Sequence, residues 1–225
     1  MRAHPHCLYL LLLSAAALLF NTSDAAAQTT SWRDSLATLN KQIAEQPHST
    51  DLRLRKAAVN IELQQWEYAI EEYGRVLDID AQNLSAFYFR AFAYSHLRRY
   101  DMACADYERF LAIMPRNFDA QLALGLTLQR MGKNAKALDR LNMLVEMYPD
   151  SALAYAARAD IEHQQGHYEL ALYDWDEALR HDAGNVDFLS AKYRVLWAMK
   201  RYDEARSIEA ALRRKGLAPP PVDKK

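Results

Sequence analysis

Glu162, His163 and His167 are the residues whose types and spacing come nearest to a metal site. Two imidazoles four residues apart on one helical face can bind Zn²⁺. Gly166, however, interrupts the helix between the two histidines, and His167 then falls in a turn. The sequence therefore predicts no metal site.

Candidates for covalent and acid–base chemistry are equally few. Cys104 occupies an apolar position of a helical pattern, which is typical of a small buried hydrophobe and not of a reactive thiol. Asp and Glu together number 29, and they are spread along predicted helices at surface positions such as Asp101, Asp106 and Glu108. No phosphate-binding glycine loop, nucleophile elbow or paired CxxC is present. We therefore expect neither enzyme activity nor a cofactor.

Composition indicates a folded protein that does not bind nucleic acid. The chain has 225 residues, 51% of them hydrophobic and 25% charged, which is enough to bury a sizeable core. Its formal net charge is -1, and it has no Lys/Arg run dense enough to follow a phosphate backbone.

The N-terminus has the pattern of a secretory signal peptide over residues 1–27. Arg2 precedes an apolar run from Leu8 to Phe20, which is shorter than the roughly 20 residues of a spanning helix. Ala25 and Ala27 then fit a cleavage site before Gln28. We expect an exported protein, in a bacterial periplasm, with no membrane insertion after cleavage. The alternative is an uncleaved membrane anchor.

An internal repeat of 34 residues is the strongest signal in the chain. Aromatic residues precede most of the repeated alanines by three positions, and aliphatic residues follow all of them by seven or eight. Apolar residues also recur at helical intervals within each unit. The alanines that carry the period are Ala69, Ala103, Ala137, Ala171 and Ala205.

This pattern resembles the tetratricopeptide repeat (TPR), a pair of antiparallel helices A and B. Position 8 of each unit is small where the helices cross, as in Ala57 and Ala91, and position 24 is large, as in Tyr73 and Tyr107. The resemblance implies an all-α, right-handed α-solenoid of stacked helix pairs. It implies five repeats over residues 50–217, starting at 50, 84, 118, 152 and 186.

Both ends depart from the repeat. Trp32, Leu36, Leu39 and Ile43 match a helix B that lacks its helix A, so residues 28–49 are predicted to hold a capping helix from Ser31 to Glu45. In the last repeat, Tyr193 occupies the small position 8, which leaves the packing there open. Residues 218–225, with three consecutive prolines, are predicted to form a disordered tail.

Charges at positions 7 and 23 vary together. Arg90 is matched by Asp106 and Arg158 by Asp174, whereas the third repeat has Leu124 and no acid. These positions lie at similar heights on antiparallel helices, so we predict ion pairs Arg90–Asp106 and Arg158–Asp174, partly buried and bidentate.

The resemblance also implies a concave groove lined by the A helices, which would bind a protein or peptide. The residues predicted to line it are apolar towards the N-terminus and more polar beyond, namely Leu54, Ile61, Tyr88, Phe92, Leu122, Leu126, Asp160, Arg194 and Trp197. These apolar groups are expected to lie outside the packing within each repeat. An alternative is that the capping helix or neighbouring A helices cover them.

Two other functions remain open. The chain could be a permanent structural subunit of an envelope assembly, or a membrane-anchored regulator if the signal is retained. A permanent subunit should expose an apolar patch on helix B. The helix-B residues Glu108, Arg109, Asp176 and Glu177 are predicted to be exposed and polar, which favours the groove.

Overall fold

The computed structural model describes residues 22–221, with side chains from Gln28 onward. The predicted signal peptide lies outside this range except for its last six residues, whose backbone belongs to the first helix. Residues 222–225 of the predicted tail also lie outside it. Throughout the described range the only regular elements are α-helices, which confirms the all-helical fold class. They are α1 (Thr22–Glu45), α2 (Thr50–Glu62), α3 (Trp66–Ile79), α4 (Leu84–His96), α5 (Tyr100–Ile113), α6 (Phe118–Arg130), α7 (Asn134–Met147), α8 (Ala152–Gln164), α9 (Tyr168–His181), α10 (Val186–Ala198) and α11 (Tyr202–Arg214).

Each A helix begins directly after a serine or asparagine whose side chain caps it. The Oδ1 atom of Asn117 accepts a hydrogen bond from the backbone N–H of Ala120 at 2.8 Å, and that of Asn185 accepts one from Phe188 at 3.1 Å. Such a cap satisfies one of the free N–H groups at a helix start. The five caps are themselves spaced by 34 residues: Ser49, Asn83, Asn117, Ser151 and Asn185.

The turn from helix A to helix B also repeats its backbone conformation. One residue in each turn adopts a positive φ, and these residues are again spaced by 34: Gln64, Arg98, Gly132, Gly166 and Lys200. Only glycine adopts this conformation without a steric cost from its Cβ atom. Three of the five turns therefore carry local strain.

Relief of that strain should be measurable. We expect Arg98→Gly to raise the free energy of unfolding by about 0.5–1 kcal/mol, because φ is 57° at this exposed residue. The matched control is Gly132→Ala, whose added Cβ would meet no atom within 4 Å and whose φ is 72°. It should lose about 1 kcal/mol through backbone strain alone. Urea denaturation of both variants tests the pair, and a destabilised Arg98→Gly variant would contradict the argument.

The described residues divide into two compact units, one up to Ala86 and one from Phe87 onward. In the first unit, α1 packs on α2 through a cluster centred on Leu39, Leu52 and Val59, with Trp32 and Ile43 packed against it. The helix α1 ends at Glu45 as predicted but begins at Thr22, nine residues before the predicted start. Three consecutive alanines at 25–27 favour this extension, because alanine has the highest helix propensity.

The repeated alanines fill the crossings of helices A and B. Ala103, Ala137, Ala171 and Ala205 of the second unit have no exposed surface, and the same is true of Ala69 in the first. Close-packed crossings of this kind leave no space for a larger side chain.

Repeat 5 resolves the open question about position 8, because its large buried ring stands on helix A and not on helix B. Tyr193 is buried at position 8, and its ring centroid lies 5.8 Å from that of Trp197. Position 24, which holds a large apolar residue in the other repeats, holds Glu209 here. The negative charge of Glu209 acts on the Tyr193 hydroxyl and, after burial, is the next cause that raises the pKa of Tyr193. The tyrosine side chain thus comes from helix A instead of helix B.

Both predicted ion pairs are confirmed, and both are bidentate. Arg90 donates from Nε and Nη2 to Asp106 at 2.6 and 2.8 Å, and Arg158 donates to Asp174 at 2.8 and 2.6 Å. Asp106 and Asp174 are each 2% exposed, so Asp106 is not the surface carboxylate that its place in the sequence suggests. The pairs join helix A to helix B inside repeats 2 and 4. Lys192, which has no acid at position 23 of its own repeat, pairs instead with Asp176 of α9.

Candidate functional site

In the first unit, the predicted groove residues Leu54 and Ile61 are half-buried on α2. Leu52, Val59 and Leu63 pack with α1, and they lie on one face of α2. At 100° per residue, Leu54 and Ile61 lie about 180–200° away from that face. The capping helix therefore does not cover them. This argues against the alternative that Leu54 and Ile61 are apolar because they pack under that helix.

In the second unit, Tyr88 of α4 differs from its prediction. Its ring centroid lies 5.7 Å from that of Tyr107 and 5.6 Å from that of Phe110, both on α5 of the same repeat. Burial, followed by the negative charge of Asp119, raises the pKa of Tyr88 to about 12. The expectation that Tyr88 lies outside the packing within its repeat is therefore wrong, because aromatic neighbours on helix B draw the ring against them.

Phe92 lies one turn further along α4 and is half-buried, as are Leu122 and Leu126 of α6. The centroid of the Phe92 ring is 4.5 Å from that of the exposed His96. Burial lowers the pKa of His96, and the positive charge of Arg130 lowers it further. Apolar side chains and two basic groups thus lie on the A helices of adjacent repeats.

Towards the C-terminus the predicted groove residues are two charged residues and one tryptophan. Asp160 of α8 and Arg194 of α10 are both exposed. Partial burial of its carboxyl raises the pKa of Asp160, while the charges of His163 and Arg194 act in the opposite direction. Trp197 is half-buried, with its ring centroid 4.9 Å from that of Tyr202. Electrostatics therefore couple Asp160 to Arg194 across neighbouring repeats.

Sequence reasoning missed three charged neighbours of these residues, namely His96, Asp119 and Arg130. Each stands at position 2 or 13 of helix A, and the resemblance to the tetratricopeptide repeat implies that these positions also face the concave side. Only apolar residues were considered as anchors, although the charged residue types at these positions were a usable signal.

The other residues considered for chemistry, His167 and Cys104, have contacts that are explained by the fold. His167 follows the end of α8, and its Nδ1 lies 2.6 Å from Oε2 of Glu162. Within residues 22–221 no group of three His, Cys, Asp or Glu side chains is arranged to hold a metal ion. Cys104 is buried with its sulfur 3.7 Å from that of Met131, and burial raises the pKa of the thiol. A thiol of raised pKa is a poor nucleophile at neutral pH.

None of the helices in the described part of the chain is long and apolar enough to cross a membrane.

Comparison with known families agrees with the geometry of the helix pairs. Residues 84–117 and 119–151 match two models of the tetratricopeptide repeat. The chain therefore contains tetratricopeptide repeats, a motif that generally forms non-catalytic scaffolds for binding proteins or peptides.

Comparisons of sequence and of structure match this chain to several different proteins. It is 26% identical over 133 residues to the peptidyl-prolyl cis-trans isomerase FKBP4 of Bos taurus, covering 57% of this chain but only 29% of that protein. A tetratricopeptide repeat protein from Parabacteroides merdae superposes with a TM-score of 0.70 at 15% identity, covering 84% of this chain and 78% of that one. YrrB, a TPR protein with an unusual peptide-binding site, superposes with a TM-score of 0.60 at 20% identity, covering 76% and 89%. At these identities the superpositions show the fold alone.

Proposed function

We propose that this chain is an exported scaffold, not an enzyme, that binds a protein or peptide on the concave side of its A helices. Phe92, Leu122 and Leu126 carry the proposal. They are half-buried apolar side chains on adjacent A helices of one unit, and charged residues lie close to them. Apolar anchors beside polar groups are the usual composition of a peptide-binding groove.

A further support comes from YrrB, which shares the fold and is described as having a peptide-binding site. Beyond Leu126, Asp160 and Arg194 would orient the ligand through polar contacts, and Trp197 would add an aromatic contact. In the first unit, Leu54 and Ile61 would offer apolar contacts of their own.

Truncation of Phe92 is the direct test. We expect Phe92→Ala to weaken the binding of peptides selected from a displayed library of random dodecapeptides by roughly 30-fold, because aromatic anchors contribute about 2 kcal/mol or more. Fluorescence anisotropy with the selected peptides measures the change. Unaltered binding of every selected peptide would contradict the groove assignment.

Two controls separate binding from folding. Tyr88→Phe keeps the ring against Tyr107 and Phe110, so it should preserve stability where Tyr88→Ala would not. Met102→Ala removes an apolar side chain that is 52% exposed on helix B of the same repeat, and it should leave peptide binding unchanged.

A permanent structural subunit is the second candidate, and one observation favours it. Helix B of repeats 2 and 4 exposes apolar side chains, with Met102, Leu170 and Tyr173 each more than half exposed. In addition, Glu177 is not the exposed residue that was predicted. It is 7% exposed and accepts hydrogen bonds at 2.7 and 2.6 Å from Arg180. Recovery of the protein from native envelopes only in a stoichiometric complex would support this alternative.

Export is a separate part of the proposal. We expect the mature protein to begin at or near Gln28, since small residues at 25 and 27 suit a signal peptidase. N-terminal sequencing of protein purified from its native host measures this. Intact residues 1–20 in the membrane fraction would instead support the membrane-anchored regulator.

A further inference from the structure

A cleft of about 230 Å³ lies between α9, α10 and the start of α11, in the second unit. None of the nine predicted groove residues lines it. Its volume is below the roughly 300–1,000 Å³ of pockets that hold whole small-molecule ligands. The cleft therefore suits a single side chain of a partner.

Leucine side chains lie beneath the cleft, and an aromatic ring forms one wall. Leu172 and Leu196 are almost fully covered, at 5% and 1% exposure, whereas Tyr173 beside them is 59% exposed. The aliphatic stem of a long side chain can lie along such a ring while its polar end reaches water. The face of an exposed tyrosine ring also attracts a cation.

The charges that line the cleft leave one carboxylate in excess. Arg201 donates to Glu204 from Nε and Nη2 at 2.6 and 2.8 Å, and Lys192 pairs with Asp176. Glu169 has only the longer contact, 3.4 Å, with the Arg201 guanidinium that Glu204 already engages. The cleft therefore combines an exposed aromatic ring with a net negative charge.

The corresponding surface between repeats 2 and 3 lacks these features. The pair Glu169–Arg201 has its counterpart in Asp101–Lys133, with a nitrogen–oxygen distance of 3.5 Å. However, alanine stands where the cleft has Tyr173, and Lys136 stands where it has Glu204. The aromatic wall and the excess carboxylate thus distinguish the boundary between repeats 4 and 5 from the boundary between repeats 2 and 3.

We propose that this cleft is a second docking site, which takes an arginine or lysine side chain of a partner protein. The cationic group lies over the exposed ring of Tyr173, and Glu169 compensates its charge. The site is independent of the groove on the A helices and would let one chain hold two segments of a partner.

The same peptide selection tests the cleft separately from the groove. Random dodecapeptides are selected on the purified protein, and each selected peptide is then measured against Glu169→Gln/Tyr173→Ala and against Phe92→Ala. We expect a class of peptides that contains Arg or Lys, loses about tenfold in affinity with the double variant, and is insensitive to Phe92→Ala. Replacing the basic residue of such a peptide by glutamine should cause a similar loss.

Matched controls exclude a general effect of removing charge or an exposed ring. Asp101→Asn removes the corresponding carboxylate of repeat 2, and Tyr68→Ala removes a tyrosine that is 62% exposed in the other unit. Neither substitution should change the affinity for the Arg- or Lys-containing peptides. The proposal is overturned if no selected peptide depends on Glu169 and Tyr173, or if the dependent peptides carry no basic residue. If no selected peptide depends on Phe92 but some depend on Glu169 and Tyr173, the proposed groove is overturned and the proposed cleft is retained.

Discussion

Replacing Arg158 by leucine is expected to lower the free energy of unfolding by about 3–5 kcal/mol. The Asp174 carboxylate is 2% exposed, and Arg158 satisfies it with hydrogen bonds at 2.8 and 2.6 Å. Without the guanidinium, a buried charge would have no cation to compensate it. Arg158 also donates to Oδ1 of Asn142 in the preceding repeat at 2.9 Å, and this contact would be lost as well.

Repeat 3 supplies the design of the control. It carries Leu124, fully buried, where repeat 4 has Arg158, and it has no acid at position 23. The double variant Arg158→Leu/Asp174→Leu should therefore be much less destabilised than Arg158→Leu alone, because it removes the unpaired carboxylate. Urea denaturation measures all three proteins. Equal destabilisation of the single and double variants would show that the loss comes from packing and not from charge.

The pH dependence of the single variant has a definite sign. Burial raises the pKa of Asp174, and the hydrogen bonds and charge of Arg158 partly lower it. Without Arg158 the pKa rises further, so folding favours the protonated carboxyl. A raised carboxyl pKa means that ionisation costs stability above that pKa, and the cost disappears as the pH falls through it. The difference in stability between wild type and Arg158→Leu should therefore be smaller near pH 5 than at pH 7.

These ion pairs show how far a repeated sequence can predict its own contacts. A helical wheel of one repeat predicts which faces are buried, but it does not predict which residues pair. Comparing the repeats with one another does predict pairs, because an acid at position 23 accompanies Arg90 and Arg158 but not Leu124. This comparison identified two buried ion pairs correctly. The comparison did not predict the partner of Lys192, because Asp176 belongs to the preceding repeat and only positions within the same repeat were compared.

The all-helical fold was predictable because period, helix spacing and small residues at crossings all indicate one arrangement. The candidate site was less predictable, because a half-buried position on helix A can serve either packing or binding. Tyr88 illustrates the difficulty: Tyr107 and Phe110 on helix B attract its ring, and aromatic residues at these two positions do not occur together in the other repeats. The cleft beside Tyr173 is formed by side chains from two repeats, so the sequence of either repeat alone does not predict it.

Truncation of Tyr193 is expected to cost about 3 kcal/mol or more, because a large buried ring would leave a cavity in repeat 5. Tyr193 is 4% exposed, and Glu209 at position 24 does not fill the crossing from the other side. Repeats 1 and 2 have the reverse arrangement, alanine at position 8 with a tyrosine at position 24 that is 2% exposed, in Tyr73 and Tyr107. The ring thus occupies a similar space from the opposite helix.

The double variant Tyr193→Ala/Glu209→Tyr rebuilds the arrangement of repeats 1 and 2 in repeat 5. We expect it to recover at least about half of the stability that Tyr193→Ala loses, since the new ring restores buried apolar surface at the same crossing. Glu209→Tyr alone should be destabilising, because two rings would then compete for one space. Thermal denaturation of the three variants measures this. If the double variant is no more stable than Tyr193→Ala, the two positions do not share the space, and the ring of Tyr193 packs on Trp197 alone.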